Sequence, residues 1–111
     1  MGTRCLTVME EEDGTEIAVL YRQMDGYPDG HGAELREYVK GKRMVNGIGS
    51  GDNLTNAFNG AGDLAASIIA HFKTDIGGFY LHPAGTRDMG EEYIYFVRPV
   101  GSAVRVTEQE A

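Results

Sequence analysis

Apolar and polar positions along this chain change period several times, and each change marks an element. Residues 3–9 alternate loosely and carry Thr, Cys and Val, which suits a strand. Asp13-Gly14 is a hairpin turn signal. Residues 16–24 are rich in apolar and β-branched types and read as the return strand. Both of its faces are apolar, with Ile17, Val19 and Tyr21 on one and Ala18, Leu20 and Met24 on the other. A sheet half exposed to water would alternate more cleanly. Cover on both faces is therefore expected, with helices on one side and a second subunit on the other.

Turn residues then crowd into Asp25-Gly26-Tyr27-Pro28-Asp29-Gly30-His31-Gly32. A short helix is expected over 33–40, with Leu35, Tyr38 and Val39 on one stripe and Gly41 placed to end it. A second glycine-rich stretch, Asn46-Gly47-Ile48-Gly49-Ser50-Gly51, precedes a polar segment and a helix over 61–74. Leu64, Ala65, Ile68, Ile69 and Phe72 follow helical spacing and should face the core. Gly77-Gly78 breaks this helix from a strand at 78–82, and 83–90 is a turn region. Residues 92–98 hold Tyr-Ile-Tyr-Phe-Val, the clearest strand in the chain, and 103–107 forms the last one.

The order β-β-α-α-β-β-β predicts an α+β fold: an antiparallel sheet of about five strands with two helices packed on one face. The 111 residues contain no internal repeat or low-complexity linker and are expected to form a single domain, 1–111.

Composition adds constraints. No apolar run approaches the ~18–20 residues of a membrane span, so no membrane partner is expected. The start lacks the apolar core of a secretory signal, and Cys5 is the only cysteine, which fits a reducing cytoplasm. The net charge of −7 argues against a duplex nucleic-acid partner. That charge is uneven. Glu10, Glu11, Glu12, Asp13 and Glu16 gather in one turn, and Glu108 and Glu110 sit at the end. The middle is nearly neutral and has room for an anion.

Glycine is the other departure, at 16 residues, about twice the usual share. Both glycine clusters lead toward a predicted helix, where unpaired backbone N–H groups and the helix dipole favour a phosphate. Neither has the Gly-Lys-Ser/Thr ending of a P-loop. Arg22, Asp25, Tyr27, His31 and Gly32 flank or build the first loop; Asn46, Gly49 and Asn56 belong to the second. Phe79, Tyr93, Arg87, Arg98 and Arg105 lie on or near the last strands and combine aromatic surface with positive charge, the composition of a nucleotide pocket. These thirteen residues are the candidate ligand contacts. Tight turns, carboxylate-paired arginines and a core-plus-interface role for the aromatics are the structural alternatives.

Catalytic signals are weaker. Asp63, Ser67 and His71 share a helix face, but the first and last stand about 12 Å apart along the axis. Ser67 would occupy the place of the base, the wrong order for a Ser-His-Asp relay; a solvated polar face is expected. His31, His71 and His82 lack metal-ligand spacing. No catalytic group, metal or cofactor is expected.

Several motifs together resemble a known family. They are Tyr21-Arg22-Gln23-Met24-Asp25-Gly26-Tyr27-Pro28-Asp29-Gly30-His31-Gly32, Val45-Asn46-Gly47-Ile48, Ile69-Ala70-His71-Phe72-Lys73, Gly78-Phe79-Tyr80-Leu81-His82-Pro83 and Glu91-Glu92-Tyr93. The set is similar to the phage Thoeris anti-defence sponge proteins of the first type, over nearly the whole chain. The resemblance implies a phage or prophage protein acting in the cytoplasm of a bacterial host. It implies sequestration, without cleavage, of cyclic ADP-ribose variants in pockets between subunits. In some members it implies a second site for cyclic di- or trinucleotides, and it implies dimers or hexamers. Two rival readings are a small phosphodiesterase-like hydrolase using Asp25, His31 or His71, and an acidic phage protein whose 10–16 turn and tail engage a host protein.

Overall fold

A computed structural model describes residues 2–47 and 55–111. The expected hairpin forms as β1 (Cys5–Glu10) and β2 (Glu16–Arg22), with Val8 opposite Val19 in antiparallel register. A π-helical turn at Pro28–Gly32 runs directly into α1 (Ala33–Val39). Two short strands, β3 (Arg43–Val45) and β4 (Ala57–Asn59), pair in parallel as a separate small sheet. They are too short for a periodic signal, and the sequence reading passed over them. Then come α2 (Gly60–Phe72), β5 (Phe79–Pro83), β6 (Tyr93–Val100) and β7 (Ala103–Glu110).

The main sheet has the order β5-β2-β1-β6-β7. The α+β class, five strands and two helices match the sequence expectation. One pairing departs from a wholly antiparallel sheet: β1 and β6 run parallel, with Cys5 beside Tyr93 and Val8 beside Phe96. The cause is connectivity. β5 joins the edge next to β2, while β6 enters on the far side of β1, so the 84–92 segment must cross the sheet.

Both helices lie over one sheet face. Leu35 and Val39 of α1 and Leu64, Ala65 and Ile68 of α2 form one buried cluster with Cys5, Met9, Leu20, Tyr95 and Val97. Each large apolar side chain in it contributes roughly 1.5–3 kcal/mol of burial energy. On the second face Leu6, Val8, Val19 and Ile94 are also buried, and Met89 packs against them. Met89 comes from the crossing segment 84–92. The cover that two-sided apolarity demanded is thus supplied over the central strands by the chain itself. The apolar pattern of β2 does not in itself require a second subunit. Among the described residues no helix is long and apolar enough to cross a membrane.

Candidate functional site

An open cleft of about 820 Å³ lies between α1, the end of α2 and the start of β5. Its position follows from local chemistry. The turn Pro28–Gly32 starts α1 beside β2, and Gly77-Gly78, both at positive φ, reverse the chain after α2 so that Phe79 returns next to Phe72. Phe72, Phe79 and Tyr38 supply aromatic surface. His71 stacks on Tyr38, with ring centroids 4.1 Å apart and planes 19° off parallel. The Lys42 ammonium lies 4.6 Å from the Tyr38 ring centroid. Arg22, Asp29, Glu34 and Glu37 complete the charged lining. Two cations therefore face three carboxylates.

Arg22 is the best-anchored charge in the cleft. Its Nε donates to the Met24 carbonyl at 2.6 Å and its Nη1 donates to His31 Nδ1 at 2.8 Å. Nη1 also bonds the Glu34 carboxylate, and the guanidinium lies 4.9 Å from the Phe79 centroid. Among the described residues Nη2 has no protein hydrogen-bond partner, which leaves it for a ligand.

His31 stands behind Arg22 and is fully buried, enclosed by Phe72, Phe79 and Tyr95. Since arginine only donates, Nδ1 must accept, and Nε2–H then donates to Thr7 Oγ1 at 2.9 Å. Burial first, and the Arg22 charge second, push the imidazole pKa down to about 4. Burial pushes the Glu34 carboxyl up, but the Arg22 hydrogen bond and charge outweigh it and hold it below the usual range. With both ring nitrogens engaged and the ring sealed, His31 is neither an exposed ligand contact nor an available general base. It is a buried prop for Arg22.

Of the thirteen candidate contacts, Arg22 and Phe79 line the cleft. The first glycine loop does not form a phosphate cradle. Its three glycine amides and that of His31 are already used: Gly26 donates to the Thr3 carbonyl, Gly30 and Gly32 to the Tyr27 carbonyl, and His31 to the Asp25 carbonyl. Gly32 is buried against the Tyr95 ring. The Asp25 side chain is exposed and outside the cleft lining. Tyr27 packs near Tyr93, with ring centroids 6.4 Å apart, also outside that lining.

The second loop meets β4 before α2, so it does not lead straight into a helix N-terminus. Asn46 is exposed and lines a separate 400 Å³ hollow. Asn56 holds φ 58°, a left-handed turn that asparagine tolerates. Gly49 lies outside the described residues. Arg87 pairs with Glu16 at 2.7 Å on the second sheet face, and Arg98 and Arg105 share a small pocket there. One nucleotide pocket gathering all the arginines and aromatics is therefore not formed within one chain.

The Asp63-Ser67-His71 face divides into three tasks. Asp63 accepts from the Asn59 amide at 2.7 Å and caps α2, the Ser67 carbonyl accepts from the Tyr38 hydroxyl at 3.4 Å, and His71 stacks on Tyr38. Glu34, Glu37, Tyr38, Lys42 and Phe72 line the cleft without having been singled out as site residues from the sequence, and His71 was named only for the rival hydrolase reading. Tyr38 and Phe72 read as core because each sits at the edge of an apolar stripe. The spacing of Tyr38 and Lys42, four apart at a helix end, was the one available signal.

Comparisons with protein-family models, with curated proteins and with solved structures give no match.

Proposed function

We propose that this chain is a non-catalytic binding protein for a small cyclic nucleotide, of the cyclic ADP-ribose type, held in the α1–α2–β5 cleft. The observation behind this reading is an anchored arginine beside three aromatic side chains in one cleft. The division of chemistry in the lining fits such a ligand. Arg22 and Lys42 suit phosphates, Phe72, Phe79 and Tyr38 suit a base, and Asp29, Glu34 and Glu37 suit ribose hydroxyls. A volume of about 820 Å³ lies within the ~300–1,000 Å³ range of small-molecule sites. The motif resemblance points to the same ligand class, and to sequestration rather than turnover. The same reading puts the protein in the cytoplasm of a phage-infected bacterium, as a dimer or hexamer in which a neighbouring subunit closes the open side of the cleft. A hydrolytic role for His31 has no support from its sealed, doubly bonded ring.

Isothermal titration with cyclic ADP-ribose isomers and cyclic dinucleotides tests the reading. Saturable heat with at least one is expected, weakened about tenfold or more by Phe79→Ala, which removes the stacking surface. Absence of heat with all of them overturns it. Ligand recovered after heat denaturation should be intact; a cleaved product would replace sponge by enzyme. Light scattering on the loaded protein checks the assembly.

A further inference from the structure

The second face of the sheet carries two arginines that share a single nearby carboxylate, Glu10. Arg98 on β6 and Arg105 on β7 are direct register partners. Like charges directly opposite on a sheet repel. Among the described residues neither guanidinium makes a hydrogen bond or ion pair, whereas Arg22, Arg36 and Arg87 each hold a carboxylate. The two arginines, with Phe96, Thr107 and Glu10, line a pocket of about 210 Å³.

The nearby acidic turn makes no direct bond to this pair among the described residues. Glu12 accepts from the Gly101 amide at 2.8 Å, Asp13 from the Thr15 amide at 2.9 Å, and Glu16 holds Arg87. Only Glu10 lines the pocket, so two guanidiniums face one carboxylate. The Arg87 guanidinium, paired with Glu16, lies 5.9 Å from the Phe96 centroid at the border.

We propose that Arg98 and Arg105 form an anion site for a phosphate or pyrophosphate group, on the sheet face opposite the cleft. Two guanidiniums held by paired strands can fork onto one phosphate from two sides, and the Thr107 hydroxyl is a third donor. Phe96 walls one side of the site with apolar surface. The pocket has room for a phosphate group rather than a whole dinucleotide, so it reads a free anion or one end of a larger ligand. This site stands independently of the cleft, because it shares no residue with it.

The test is a titration of the full ¹⁵N-labelled chain with inorganic pyrophosphate at constant ionic strength, followed by amide shifts, with chloride as the control. Saturable shifts at residues 10, 96–98 and 105–107 are expected. Arg105→Gln alters an exposed side chain and should weaken binding at least about tenfold, with Arg105→Lys intermediate because it keeps charge without the fork. Glu10→Gln should tighten binding severalfold by removing the opposing carboxylate. Shifts that chloride reproduces, shifts confined to the cleft, or shifts unchanged in Arg105→Gln would overturn the proposal.

Discussion

Arg22 Nη1 donates to His31 Nδ1 at 2.8 Å, and this single bond sets both the tautomer of the imidazole and the position of the guanidinium. A protonated His31 could not accept from arginine and would place two cations in contact in a buried site. Arg22 is thus presented to the cleft by a histidine that must stay neutral.

Stability should fall on acidification through that histidine. Its folded pKa of about 4 lies below the ordinary 6.5, so between these values the unfolded chain binds more protons than the folded one. The stabilisation is complete above about 6.5 and is lost progressively as pH drops toward 4. The lowered Glu34 pKa acts in the same direction at more acid pH. Denaturant unfolding across pH 4–8 should show a loss on the order of 3 kcal/mol over this window. His31→Gln should flatten it, and an unchanged slope in that variant would count against the assignment.

Glu34 competes with any anion for Arg22. It is bonded to the guanidinium while remaining about half exposed. Glu34→Gln should therefore raise affinity for an anionic cleft ligand about threefold to tenfold, chiefly at low ionic strength. Titration at two salt concentrations checks this; lower affinity would mean that Glu34 contacts the ligand favourably.

Glycine substitutions should split by sign. A Cβ on Gly26 would meet Cys5 Cβ and the Thr3 carbonyl oxygen at 2.8 Å, so Gly26→Ala should destabilise by about 1–3 kcal/mol. Gly62 lies in α2 with open space around it, and Gly62→Ala should stabilise by about 0.5–1 kcal/mol. Thermal melting of the two variants separates a packing glycine from one that merely weakens a helix.

Cys5 should be inert in the folded protein. It is fully buried, and burial pushes its thiol pKa up to about 12. A disulfide reagent at pH 8 should label it only at the rate of unfolding, and fast labelling in native buffer would contradict its placement.

Much of this architecture was legible because it is local. The hairpin at Asp13-Gly14, the apolar stripe Leu64-Ala65-Ile68 and the aromatic run 93–96 all form where period and turn chemistry place them. The site was much less legible. The loop glycines looked like a phosphate cradle because glycine permits close approach, but the chain itself makes that approach: Gly26 to the 3–4 backbone and Gly32 to Tyr95. His31 stood among the candidate ligand contacts in a turn-rich run, yet the turn rotates it inward to Thr7, 24 positions away.

The sequence by itself determined the five strands of the main sheet and the two helices, the two-sided apolarity of β2, and the supply of arginines and aromatics. Side-chain period and backbone preference act over a few residues, so one chain read alone carries them. Only the tertiary structure decided that β6 lies parallel to β1, that segment 84–92 covers the second face, and that Arg22 lines the cleft while Arg98 and Arg105 lie on the opposite face. Those outcomes depend on which side of β1 the returning chain enters. That choice balances contacts distant in sequence against loop closure, and no local pattern encodes it.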